Sequence, residues 1–401
     1  MKIAIIKERK NPPDRRVVLS PKACKNLMEI YPNLEIKVES SDVRVFTDDA
    51  YRNEGIMVTD NISDCEVLLG VKEVPIDYLI PNKKYFFFSH TIKKQPYNRA
   101  LLQAILDNQI ELYDHEVITN TKKQRVVAFG RYAGIVGAYN GFRAFGIKYN
   151  TFELPKASQL EHQKALIAAL QKISLPAIKI VLTGKGRVSN GAKEMLDGMN
   201  ITEVSPDDYL NKNFDKPVYT QLDVLDYNQR KDAKVIDMYN FFNNPTEYKS
   251  NFMRFAKVSD MYFACHFWDK EAPYLFSRED AKSADFNIKV IADISCDVDG
   301  PVASTIRAST IAEPIYGYHP QTEKEVDYKD ADAIMVMAVD NLPAELPNDA
   351  SVGFGESFAK YVIPAFFDGD SEGVLKRAKM TEKGQLTQEF KYLQDYVDGK
   401  E

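Results

Sequence analysis

Histidine and cysteine are scarce in this chain, five and four residues among 401, and tryptophan occurs once. The cysteines, Cys24, Cys65, Cys265 and Cys296, show no C-x-x-C spacing and no histidine at zinc-ligand distance, so no metal site is expected. All four are read as reduced, with Cys65 and Cys296 in apolar runs where a thiol packs as a small hydrophobe. No uninterrupted apolar run approaches the roughly 18 to 20 residues that a membrane span needs. The opening MKIAIIKERK turns to charge after about five apolar positions, which reads as a strand and not as a secretory leader. Cytoplasm is the expected compartment. Excess positive charge is missing too: 52 basic against 58 acidic residues leave a net charge of −6, which disfavours nucleic acid as a partner.

What is present is the composition of a globular protein, 44% hydrophobic and 27% charged, in a chain long enough for two domains. Lys2 to Glu8 reads as a strand, and Ser20 caps a helix that starts at Pro21. Leu34 to Val38, Ile56 to Thr59, Val67 to Val71 and Tyr85 to Ser89 are further strands, with a helix from Thr47 to Asn53 stopped by Gly55. A helix from Pro96 to Asp107 and strands at Ile110 to Asp114 and Val126 to Phe129 follow. This rhythm predicts an open parallel sheet with helices on both faces, and ligands collect at the carboxyl ends of such strands. Lys72 and Glu73 follow one strand and His90 follows another. A lysine and a histidine at one crevice suit proton transfer at an amine or a carbonyl.

From Tyr132 to Asn150 the chain is a helix rich in glycine and aromatics, where glycines admit the close approach of another backbone. A second helix, Ala157 to Ile173, precedes a strand, Ile178 to Leu182, that opens onto Gly184-x-Gly186 and a helix to Met199. Glycines there let the backbone approach a pyrophosphate at the positive end of the helix. Ser189 stands where the usual spacing has a third glycine, and Gly191 lies beyond it. The next strand, Ile201 to Val204, ends at Ser205 and Pro206 without the carboxylate that holds the ribose of NAD. Ser205 is taken as a cofactor-binding position, Lys185 and Arg187 as acceptors of a 2′-phosphate, and NAD and NADP both stay open. Strands at Met261 to Cys265 and Lys289 to Ile294 follow, and Asp293 and Asp297 at the end of the second lie either near a nicotinamide or in capping roles. Ile334 to Val339 is the last strong apolar run, Ser351 to Phe366 a helix, and Glu389 to Tyr396 an amphipathic, exposed tail.

Seven segments together resemble the lysine-ketoglutarate reductase and saccharopine dehydrogenase family, relatives of alanine dehydrogenase. They are DRRVVLSP (Asp14 to Pro21), LLGVKEVP (Leu68 to Pro75), FFFSHTIKKQ (Phe86 to Gln95), RVVAFGRYAG (Arg125 to Gly134), VLTGKGRVSNGA (Val181 to Ala192), ADISCDVDG (Ala292 to Gly300) and AVDNLPAELP (Ala338 to Pro347). The resemblance implies an α/β fold of two Rossmann-like domains, with open, mostly parallel twisted sheets and a cleft between them. Residues 1–130 plus 335–401 then form a discontinuous substrate and catalytic domain, and 131–334 the dinucleotide-binding domain. It implies that Lys72 and His90 are an acid/base pair, that Arg16, Glu73, Lys93, Glu116, Arg125 and Phe129 bind substrate, and that Gly184, Gly186, Arg187 and Asp293 lie at an NAD or NADP. The implied substrates are lysine, 2-oxoglutarate and saccharopine. An amino-acid dehydrogenase of the alanine dehydrogenase type and a non-catalytic dinucleotide-binding protein remain alternatives, and the oligomeric state stays open.

Overall fold

The apolar runs of the N-terminal third become six parallel strands: β1 (Lys2–Ile5), β2 (Glu35–Glu39), β3 (Met57–Thr59), β4 (Val67–Leu69), β5 (Lys84–Phe87) and β6 (Glu111–Asp114). The structure is a computed structural model and describes residues 1–400. The strands run in the order β3-β2-β1-β4-β5-β6, so the order of travel reverses between β1 and β4. Such a switch point is where open α/β sheets take ligands. β4 and β5 pair in register, Leu69 opposite Phe86, so the residues just past their ends emerge side by side. Alternate side chains serve opposite faces. Leu68, Tyr85 and Phe87 join a cluster with Leu101, Leu102 and Ile105, while Phe86 stacks on Tyr113 and meets Phe358 edge-on. Ser20 accepts from the Ala23 N–H as the N-cap of Pro21–Ile30, and Gly55, at φ +79°, follows the end of Asp48–Asn53.

Two expectations for this unit need correction. Val126 to Phe129 is not a strand; Arg125 forms an isolated bridge with Thr119 and the chain then runs irregularly into a long helix. The tail is not exposed either. Phe390, Leu393, Tyr396 and Val397 lie in the same cluster as Leu101 and Ile105, and the Tyr396 hydroxyl donates to the Gln95 carbonyl. An amphipathic stripe finds its own core before it needs a partner.

A second unit starts with the helix Gly130–Tyr149, which packs backbone to backbone on Arg187–Gly198. A Cβ on Gly134 would stand 1.8 Å from the Val188 carbonyl oxygen, and one on Gly191 1.9 Å from that of Arg131. The strands here are β7 (Lys179–Thr183), β8 (Thr202–Glu203), β9 (Val218–Leu222), β10 (Asn228–Arg230), β11 (Tyr248–Ser250), β12 (Met261–Ala264), β13 (Val290–Asp293), β14 (Ile315–His319), β15 (Lys324–Val326) and β16 (Ile334–Met337). Eight form one sheet, β15-β14-β16-β13-β12-β7-β9-β8, with β14 antiparallel to β15 and β16, and β10 and β11 pair separately. The strand expected over Ile201 to Val204 is reduced to the two residues of β8 at the sheet edge, and β9 lies between it and β7. The helix expected over 157–173 is a 3₁₀ turn, Ala157–Gln159, followed by Gln163–Leu170. β16 pairs with β13, so the chain returns to the first unit at Pro347, later than the boundary at 335 read from the sequence. Both units, Met1–Phe129 with Pro347–Glu401 and Gly130–Leu346, are Rossmann-like α/β sheets. The four cysteines are free, Cys296 half-buried and the others buried, and among the described residues no helix is long and apolar enough to cross a membrane.

Candidate active site

In the first unit the candidate residues follow the ends of neighbouring strands. Lys72 and Glu73 come after β4, His90 and Lys93 after β5, Glu116 after β6 and Arg16 in the loop after β1. Burial, then the charge of Arg16, holds the Lys72 ammonium below the ordinary lysine pKa, with Asp14 acting against them. Glu73 faces two basic groups, Lys10 Nζ at 2.9 Å and His90 Nε2 at 3.8 Å. His90 Nδ1 lies 3.7 Å from Glu116 Oε2, and Glu116 Oε1 lies 3.4 Å from Lys93 Nζ. The imidazole contacts are longer than hydrogen bonds. Lys10, Glu73, His90, Glu116 and Lys93 thus form a row in which the imidazole stands between two carboxylates, each of which also faces a lysine. His90 has left-handed backbone, φ 55°, a conformation that costs a side-chain-bearing residue about 1–2 kcal/mol. Burial alone raises the Glu116 carboxyl, but the facing imidazole and the charges of Lys93 and Arg125 outweigh it and hold it at about 2.

Arg16 is buried and paired bidentately with Asp14, Nε to Oδ1 at 3.0 Å and Nη2 to Oδ2 at 2.6 Å. Its guanidinium stands 4.3 Å over the Phe129 ring, which stacks on Phe354. Phe129 is therefore the platform on which Arg16 rests. Arg125 donates from Nε to the Val127 carbonyl and lies over Phe88. Four residues of this neighbourhood escaped the sequence reading: Lys10, Asp14, Glu8 and His115. A carboxylate two positions before an arginine was a usable signal for Asp14. KERK offered none for Glu8, which is buried and accepts from the Val71 and Lys72 N–H groups.

In the second unit Gly184, at φ +94°, turns the chain tightly against Cys265, whose carbonyl oxygen would stand 2.8 Å from an added Cβ. Ser189, in place of a third glycine, donates to the Gly184 carbonyl, and Gln221 from β9 donates to both. Gly186 begins the 12-residue helix Arg187–Gly198 without a side-chain cap, and nothing lies within 4 Å of where its Cβ would be. Uncapped first-turn N–H groups beside an open glycine suit a phosphate. Next to the loop, Lys185, Glu203, Val204, Ser205, Pro206, Gln221 and Asp226 line a cleft of about 470 Å³. Ser205 caps the helix Pro206–Asn211 from the cleft wall, and Glu203, an acid not picked out from the sequence, is ion-paired with Lys193. The buried carboxylate of Asp293, at the end of β13, accepts from Ser295 Oγ, the Cys296 N–H and Thr305 Oγ1 and so caps that strand end. Among the described residues no cluster of three or more histidine, cysteine or acidic side chains is placed to hold a metal ion.

Comparison with known proteins agrees with this architecture. Residues 4–136 match the family described as alanine dehydrogenase/PNT, N-terminal domain. The chain is 28% identical to an alpha-aminoadipic semialdehyde synthase of Arabidopsis thaliana, over 98% of its own length and 41% of the relative's. It is 24% identical to a saccharopine dehydrogenase [NAD(+), L-lysine-forming] of Candida glabrata, with 88% of each chain covered. A solved L-alanine dehydrogenase structure superposes with a TM-score of 0.66 at 16% identity, covering 99% of this chain and 100% of that one, which shows a shared fold. The chain spans under half the length of the semialdehyde synthases it matches. The resemblance read from the seven segments is borne out across the chain.

Proposed function

We propose that the protein is a nicotinamide-dependent oxidoreductase of C–N bonds that interconverts saccharopine with lysine and 2-oxoglutarate. The observation that carries this reading is the row Lys10, Glu73, His90, Glu116 and Lys93 beside a lysine whose pKa is lowered. Lysine and 2-oxoglutarate together bring three carboxylates, an α-ammonium and a reacting amine, and the row offers partners of both signs. In the condensing direction the ε-nitrogen of lysine attacks the keto carbon, the nitrogen loses a proton, the oxygen gains protons and leaves as water, and the imine carbon receives hydride. Lys72, whose pKa burial lowers, takes the proton from nitrogen, and His90, between two carboxylates, delivers one to the departing oxygen. Arg16, Lys93 and Arg125 hold carboxylates, Glu73 and Glu116 the ammonium, and Phe129 supports Arg16. Gly184, Gly186, Arg187 and Ser205 hold the dinucleotide, NAD or NADP, which supplies the hydride when bound. The names of the relatives similar over nearly the whole chain support this substrate class.

The match of residues 4–136 favours a second reading, an alanine dehydrogenase-like enzyme. Nicotinamide absorbance followed with lysine plus 2-oxoglutarate, and separately with pyruvate plus ammonia, each with NADH and NADPH, distinguishes them. Oxidation with the first pair alone is expected. Oxidation with the second pair alone selects the second reading, and dinucleotide binding without turnover of either selects a non-catalytic protein.

A further inference from the structure

The backbone that carries Lys72 is gripped from two sides. Glu8, just past β1, is buried, with Oε1 accepting from the Val71 N–H at 2.6 Å and Oε2 from the Lys72 N–H at 2.9 Å. From the other side His115 Nε2 lies 2.9 Å from the Gly70 carbonyl oxygen, and burial pushes that imidazole down to about 3, so the neutral ring is the donor. Gly70 is closely packed, since a Cβ there would stand 2.9 Å from Ile6 Cδ1 and 3.5 Å from Glu8 Oε1. The sheet does not need this carboxylate. Its ladder already uses the Gly70 N–H, bonded to the Phe86 carbonyl, and the Val71 carbonyl, bonded to the Phe88 N–H. What Glu8 adds is a fixed orientation for the Val71–Lys72 peptide at the switch point between β1 and β4.

We propose that Glu8 is a positioning residue for Lys72: its two oxygens hold the peptide so that the lysine amine stays in the buried setting where it acts as a base. This rests on the role given to Lys72 above. A buried carboxyl is an expensive way to satisfy two N–H groups. Burial drives it up to about 8, with the Val71 and Lys72 N–H groups and Arg16 pulling it down and Asp14 pushing it further up. Lys72 in turn faces Arg16, Asp14, Lys10 and Glu73. Since burial is the largest cause of the lowered Lys72 pKa, loosening its peptide returns the amine toward water.

Reductive ¹³C-methylation of the full chain labels the lysines, and the Lys72 resonance is the one lost in Lys72→Arg. In Glu8→Gln, which keeps one acceptor and loses the other, the Lys72 titration is expected to move up by about one pH unit. With lysine and 2-oxoglutarate, kcat is expected to fall about 10²-fold, with KM for the dinucleotide unchanged. Glu8→Asp keeps both oxygens but falls one methylene short, and is expected to show a smaller shift in the same direction. An unmoved Lys72 titration overturns the proposal. Should Glu8→Gln fail to fold, the titration in Glu8→Asp decides it in the same way. The resonance is read without substrates, so a wild type that does not turn over lysine and 2-oxoglutarate refutes the proposed reaction and leaves the titration to judge Glu8.

Discussion

A lysine serves as a base near neutral pH only when its pKa is lowered, and burial shifts that of Lys72 in this direction. Lys72→Met is expected to cut turnover at least about tenfold while dinucleotide binding, followed by fluorescence titration, stays as it was. His90→Gln is expected to remove one limb of the pH–rate profile, and an unaltered profile makes His90 structural. Two other histidines bear on stability. Burial pushes His115 down to about 3 and His266 to about 4, below the roughly 6.5 of an unfolded chain, so the unfolded state binds more protons in between. Their contribution is complete above about pH 6.5 and is lost as pH falls through the folded values. Urea midpoints are expected to drop between about pH 7 and pH 5, less steeply in His115→Gln. Glu8 has the opposite sign: its stabilising contribution is present below its unfolded pKa and is lost as pH rises through about 8. Lys72 and His90 were legible in the sequence because apolar runs end where they stand. Glu8 was not, since a glutamate among KERK looks solvated until the neighbouring strand β4 is seen to lie over it.

Among the elements, the helices Gly130–Tyr149 and Arg187–Gly198 depend on contact between their backbones. Gly134→Ala places a methyl 1.8 Å from the Val188 oxygen, so the helices must part. The expected loss is about 1–3 kcal/mol in urea unfolding, together with weaker dinucleotide binding because the glycine-loop helix shifts. A stability equal to wild type refutes the close contact. The C-terminal segment carries a second prediction at this scale. Leu393 is fully buried among Leu101, Leu102 and Ile105, so Leu393→Ala is expected to cost about 2–5 kcal/mol, whereas an exposed tail loses almost nothing. The period of its apolar residues was legible and its destination was not. A stripe records that a face is buried and says nothing of what buries it. The same limit applies to β9, because the five residues VYTQL carry no mark of which parallel neighbours they will join.

For the molecule as a whole, each unit has its own buried cluster, one around Leu68, Tyr85 and Leu393 and one around Val181, Tyr262 and Ile291. The proposed dinucleotide site lies in Gly130–Leu346, and a dinucleotide bound there would stabilise that unit by mass action, by about 2.7 kcal/mol at a hundredfold excess over Kd. Hydrogen exchange with and without NADPH or NADH is expected to show the added protection concentrated in that unit, and uniform protection contradicts the assignment. By itself the sequence determined the α/β character of both units, the strands that precede Lys72 and His90, and the glycine turn at Gly184, because these follow from local periodicity and backbone freedom. Only the tertiary structure decided that β9 stands beside β7, that Asp293 is a buried cap, that Phe129 supports Arg16, and that Glu8 holds the Lys72 peptide. Each of those depends on which distant segments become neighbours, and hydrophobic pattern constrains the burial of a side chain without naming the group it will meet.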